Sequence, residues 1–247
     1  MSGDMNTALG NCVLMLSMMI GIFEKELRVP YDLLDDGDDC LLIIEELDAD
    51  RVIERLPGLV LSMGHELKIE NVAKSIGDVE WCHSKPVYDG QKWKFVRNPF
   101  KVMSSCLVGT RWLSVPPRVR LEYLAGLGQC EAALNCGVPV LQEYARALIR
   151  NSQGARVRFD TSSNEWWRYI RELRNKGSDV ITDDARISFA NAFGVSETQQ
   201  YMYESVLREW NFPVEPLHFS EVTWNVDTWT NERHCFPEFQ WGNVPEI

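Results

Sequence analysis

The feature that most constrains this chain is an acidic interruption in an apolar run, Leu33-Leu34-Asp35-Asp36-Gly37-Asp38-Asp39-Cys40-Leu41-Leu42-Ile43-Ile44. Asp36-Gly37 is a hairpin signal, because Gly takes the positive φ that a tight turn needs. Leu41-Leu42-Ile43-Ile44 is too short for a helix of its own and reads as a strand. Pairing the two strands lifts Asp38 and Asp39 to the hairpin tip. Adjacent carboxylates repel unless a positive charge sits beside them. Mg²⁺, a hard cation that takes carboxylate and phosphate oxygens, suits that position. A solvated acidic turn is the alternative reading of the same residues.

The chain has 247 residues, 45% hydrophobic and 25% charged, enough for a sizeable core and one or two domains. Its seven cysteines form no CxxC pair and no metal spacing with the four histidines, which suggests free thiols in a reducing compartment. The apolar stretch 12–23 lacks the basic flank of a signal peptide and is too short to span a bilayer, so a buried helix is expected and no transmembrane segment. Net charge is −11, unevenly spread. Asp35, Asp36, Asp38, Asp39, Glu45, Glu46, Asp48 and Asp50 stand nearly unopposed. Then Lys85, Lys92, Lys94, Arg97, Lys101, Arg111, Arg118 and Arg120 face only Asp89. An acidic centre followed by a basic stretch suits a metal site beside a phosphate-backbone track. Two solvated faces of opposite sign would read the same way.

In chain order, the opening loop runs into a helix capped by Asn6 or Thr7 that ends near Arg28, before Pro30. Thr7 and Asn11 are four residues apart and share a helix face. A hydroxyl and an amide there can hydrogen-bond a ribose 2′-hydroxyl, or they are an ordinary capping cluster. After the hairpin, Asp48 or Asp50 is expected to cap a helix through Val52, Ile53 and Leu56 that Pro57-Gly58 interrupts. Residues 65–70 alternate like a short strand. Asp89-Gly90 signals a second hairpin, in whose first strand Cys82 reads as a small buried apolar residue and His83 as structural or surface. Helices follow over residues 102–113, 119–136, 139–149, 165–174, 185–193 and 198–210. Pro116-Pro117 breaks the first two apart, Thr182 or Asp183 caps the fifth, Gly194 stops it, and a Ser196/Gln199 capping box opens the last. From Pro213 the chain reads as irregular.

Ser2-Gly3-Asp4-Met5-Asn6-Thr7-Ala8-Leu9-Gly10-Asn11, followed after a helix by Gly37-Asp38-Asp39-Cys40, resembles motifs B and C of the RNA-dependent RNA polymerases of positive-strand RNA viruses, the tombusvirus-like group in particular. Trp81-Cys82 with Ser84-Lys85-Pro86 resembles motif E, the primer grip. Residues 184–195 with Gln199 and Glu204 resemble that group's thumb. The resemblance implies an α+β fold: a partial right-hand palm of antiparallel hairpins and helices (residues 1–98), a helical thumb (99–212) and an irregular C-terminal segment (213–247). It implies nucleotidyl transfer from NTPs to an RNA 3′-hydroxyl, with Mg²⁺ or Mn²⁺ as cofactor. Asp38 would be the main metal ligand and Asp39 would assist. Thr7 and Asn11 would sense the ribose, and Ser2 and Gly3 would help position template and NTP. Lys68 would be the general acid of motif D, with Lys74 the rival position. Ser84 and Lys85 would contact the nascent strand.

The family's motif A, an Asp-x4-Asp pair, precedes motif B, and this sequence begins at motif B. The expectation is therefore the C-terminal part of a replicase, inactive alone, whose partners are RNA template, nascent strand, NTPs and upstream replicase parts. Its place would be the host cytoplasm, at membrane-associated replication complexes reached through those other parts. The alternative is a catalytically inactive fragment that binds RNA or a replicase partner.

Overall fold

Buried residues at helical spacing build the first half of the chain around a hairpin. The computed structural model describes residues 7–107, 116–157 and 179–211. Ser2, Gly3, Asn6, Arg111, the expected helix over 165–174 and the segment from Pro213 lie outside them. The described residues belong to two compact units, Met1–Pro86 and Val87–Ile247.

Helix α1 (Thr7–Gly21) continues through a π-helical turn, Ile22–Leu27. It stops at Arg28, which takes φ 54° while its N–H bonds Phe23 O at 2.8 Å. The helix runs past the apolar stretch 12–23 to 21 residues, long and apolar enough to cross a bilayer by length and composition alone, a test that core helices also pass. The expected burial is only half met. Met15, Met19, Ile22, Phe23 and Leu27 are buried, whereas Leu9, Val13, Leu16 and Ile20, at spacings of four, three and four along another face, are exposed.

Strands β1 (Asp32–Asp36) and β2 (Asp39–Ile43) pair antiparallel, with Asp32 opposite Ile43 and Asp36 opposite Asp39. The turn is Gly37-Asp38, one residue later than Asp36-Gly37. Gly37 has φ 82° and Asp38 does not share the positive sign, the pattern of a type II′ turn with Gly first. The Asp35 carboxylate accepts from Gly37 N at 3.0 Å and fixes the turn. Period-two alternation sends Leu33, Cys40 and Leu42 to the core and leaves Leu34 and Ile43 exposed.

Helix α2 (Glu46–Ser62) corrects two expectations. It begins after Glu45 with no side-chain cap, so neither Asp48 nor Asp50 caps it; Asp48 instead pairs with Arg51 at 3.0 Å. It also runs through Pro57. Proline removes one hydrogen bond from the ladder, but Val52, Leu56 and Val60 lie in one stripe across the break and are all buried in the same core. Packing on both sides of Pro57 outweighs the lost bond. Residues 65–70 form no strand.

In the second unit, β3 (Ser84–Tyr88, beginning before the division) pairs with β4 (Trp93–Arg97) around Gly90, which has φ 94°. Asn98 caps α3 (Pro99–Ser105) by accepting from Phe100 N and Lys101 N. Helices α4 (Pro117–Leu134) and α5 (Leu141–Asn151) cross closely at Gly128. Thr182 caps α6 (Asp183–Phe193), Gly194 ends it at φ 69°, and the Ser196/Gln199 capping box opens α7 (Glu197–Glu209), as the sequence predicts. The core joins Val87, Val96, Leu124, Tyr144, Leu148, Phe189 and Leu207. Arg186 and Glu204 form a buried two-point pair, 3.1 Å at each contact. Glu204 also accepts the N–H of Val140, which sits at φ 64°, ψ −56° ahead of α5. The strained Val140 turn is thus held by a buried carboxylate.

Candidate active site

Position 11 of α1 reaches the hairpin tip. A Cβ built on Gly37 would stand 3.5 Å from the Asn11 Cβ, so Asn11 lies directly against the turn that carries Asp38 and Asp39. Thr7 is one helical turn earlier on the same face, in the first turn of α1. The pattern that seemed two separate motifs, a polar helix start and an acidic turn, is one local cluster in space.

The register adds a carboxylate that sequence reasoning passed over. Asp36 and Asp39 are directly opposite on the ladder, on the face away from the core, and both are exposed. Like charges directly opposite destabilise a hairpin. Asp38 occupies the turn itself, also exposed. The signal that could have found Asp36 was the turn length: a two-residue loop at Gly37-Asp38 must pair its neighbours. Asp36, Asp38 and Asp39 are hard oxygen donors of the kind Mg²⁺ takes. Among the described residues, however, no group of three or more His, Cys, Asp or Glu side chains converges closely enough to hold a metal ion. The tip fits a carboxylate share of a metal site and does not complete one.

The segment that resembles motif E lies beside the same tip. Trp81 and Ser84 exchange backbone hydrogen bonds, 3.0 and 2.9 Å, across a turn made of Cys82 and His83. Both turn residues have positive φ, 49° and 55°. Cys82 is therefore no buried strand residue. It is a half-buried turn residue whose Sγ donates to Asp36 Oδ2 at 3.5 Å. Burial, then the hydrogen bond and charge of Asp36, then Asp39, push its thiol up to about 11. His83 is exposed. Ser84 is buried and donates to Cys82 O, and Lys85 Nζ lies 3.9 Å from Glu80.

Lys68 sits in the irregular segment after α2, 3.0 Å from Glu70, with both side chains exposed. That bond holds the Glu70 carboxyl below its ordinary range. Lys74 pairs with Glu46 at 3.1 Å. The fold thus engages both motif D candidates in surface ion pairs.

The basic stretch is less open than its sequence suggests. Lys94 pairs with Asp89 at 2.8 Å. But Arg97 meets the buried Glu131, and Arg118 meets Glu122, both on α4. Glu131, 34 residues away, and Glu122, one helical turn away, balance charges that looked unopposed. Lys92 and Lys101 are exposed.

Residues 1–215 match the sequence profile of a family described as viral RNA dependent RNA polymerase. The chain is 35% identical over 211 residues to the RNA-directed RNA polymerase of Groundnut rosette virus (strain MC1), covering 83% of this chain and 24% of that protein. It is 32% identical to that of Melon necrotic spot virus (92% and 30%) and 33% identical to that of Turnip crinkle virus (85% and 28%). The chain spans about a quarter to three tenths of the length of these relatives. No solved structure matches it. With Asn11 set against a Gly-Asp-Asp hairpin in a chain matched over residues 1–215, this protein belongs to the viral RNA-dependent RNA polymerase family.

Proposed function

We propose that this chain supplies part of the catalytic centre of template-directed RNA synthesis in viral replication. Residues 1–98 would be the palm part, with motifs B to E, and 99–212 the thumb. The observation that carries the reading is the placement of Asn11 against Gly37, which brings the ribose-sensing helix to the acidic turn. In this reading Asp38 and Asp39 would hold Mg²⁺ or Mn²⁺, which when bound assists attack of the RNA 3′-hydroxyl on an NTP α-phosphate. Thr7 and Asn11 would donate to and accept from the ribose 2′-hydroxyl. Ser2 and Gly3 would flank template and NTP. Lys85, beside Ser84 on β3, would touch the nascent-strand backbone, and Lys68 would protonate the leaving pyrophosphate after releasing Glu70.

Among the described residues no third ligand converges on the tip, which favours a second statement about the chain alone: it would bind RNA without catalysing synthesis. Upstream replicase parts would supply the remaining carboxylates. They would also set its place, in the host cytoplasm at membrane-associated replication complexes. The test is RNA-templated NTP incorporation by a polymerase that carries this region within the relatives' full length. Asp38→Asn should abolish elongation with the fold intact, and Asn11→Ala should relax the preference for rNTP over dNTP. Retained elongation by Asp38→Asn sinks the assignment.

A further inference from the structure

The turn of Cys82 and His83 is the least expected backbone in the first unit. Two successive non-glycine residues adopt the left-handed region, at φ 49° and 55°. Each such residue is disfavoured by its Cβ, and turns of this kind select Asn-Gly or Gly-Gly instead. Strain of this sort persists where the surroundings hold it, and it clusters at functional sites. Here it has a visible consequence. The tight Trp81–Ser84 turn carries the Cys82 thiol across to a residue 46 positions earlier, where Sγ donates to Asp36 Oδ2 at 3.5 Å. Asp36 is the carboxylate directly opposite Asp39 on the exposed face of the hairpin.

Resting on the polymerase reading, we propose that Cys82 is a positioning residue, whose S–H bond to Asp36 fixes that carboxylate and thereby leaves Asp39 and Asp38 turned to the reacting groups. An Asp36 left without a donor faces Asp39 across the ladder with nothing to hold its rotamer. The two like charges then splay and the tip loses a fixed geometry. A donor seated on Asp36, with Asp39 the lesser influence on the same thiol, breaks the symmetry of the pair. Ser84, which donates to Cys82 O, and the Trp81–Ser84 backbone bonds hold the thiol in place.

A turn role and a positioning role predict opposite results for one substitution. Cys82→Gly removes the strain and the donor together. If Cys82 serves only the turn, this variant is at least as stable and elongates normally. If it positions Asp36, the variant is at least as stable yet elongates more slowly, by about tenfold for loss of one hydrogen bond to a charged group. Cys82→Ser keeps a donor and should recover most of the rate. His83→Gly relieves strain without touching the thiol and should elongate normally. The polymerase of full length is assayed for RNA-templated incorporation. In parallel, the chain itself is examined by Raman difference spectroscopy in the S–H stretching region, where Asp36→Asn should shift the Cys82 band. Slow elongation by Cys82→Gly, rescue by Cys82→Ser and a shifted band support the proposal. Normal elongation by Cys82→Gly, or a Cys82 band indifferent to Asp36→Asn, overturns it. A wild-type enzyme that incorporates nothing overturns the polymerase reading, whatever the band does.

Discussion

Asp39→Asn should stabilise the hairpin that it disarms. Asp36 and Asp39 are directly opposite in the antiparallel register and both are exposed. Side chains so placed start about 5 Å apart. Two unit charges at that distance in water repel by about 0.8 kcal/mol. Screening leaves about 0.7 kcal/mol at 0.01 M salt, about 0.4 at 0.15 M and about 0.2 at 1 M. Asparagine removes the charge and keeps the shape. Local opening of β1–β2 should therefore become rarer by about threefold at low salt, about twofold at physiological salt and hardly at all at 1 M. The assay is amide hydrogen exchange of residues 32–43, wild type against Asp39→Asn, at the three salt concentrations. Faster exchange in the variant, or a gain that does not shrink with salt, would show that the pair is not held at the cost of repulsion. The opposed pair would then not be a destabilising arrangement of the hairpin.

Three further outcomes are expected. Gly128→Ala should destabilise the second unit by about 1–3 kcal/mol in urea unfolding, because its Cβ would meet Ile149 N and Cγ1 at 2.9 Å and that backbone cannot step aside. Arg186→Met should cost about 3–5 kcal/mol by leaving the Glu204 carboxylate buried without its two-point partner, although Arg208 at 3.5 Å offsets part of this; urea midpoints of wild type and variant measure it. Stability should fall as pH rises above 9, since burial and then Glu131 push the Cys106 thiol from 9.0 to about 12, and burial and then Asp179 push Cys136 to about 11. The sign follows because the folded state keeps protons that the unfolded state releases between pH 9 and those values. Urea midpoints at pH 8 and pH 10 test it, and Cys106→Ala should flatten the slope.

Local physics was legible wherever the deciding contacts are close in sequence. Gly37, Gly90 and Gly194 announced backbone that only glycine takes cheaply, and Thr182 and the Ser196/Gln199 box announced helix starts. Thr7 and Asn11 could be assigned to one helix face by counting, and Asp38 and Asp39 to one hairpin tip. Those features need only a few residues to state their energy. The tertiary structure decided the rest, because its energies join distant residues. Pro57 should have broken α2, and packing of Val52, Leu56 and Val60 into one core overrode it. Arg97 read as part of an open basic track until Glu131, 34 residues on, was folded against it. Asn11 could be placed on a face by counting, but only the fold lays that face on Gly37. Cys82 looked like an inert strand residue, and only the fold brings its thiol to Asp36. A sequence fixes what each residue can do within its own turn of chain. Which opposite charge, which hairpin and which carboxylate it meets depends on burial shared among segments that the linear order keeps apart.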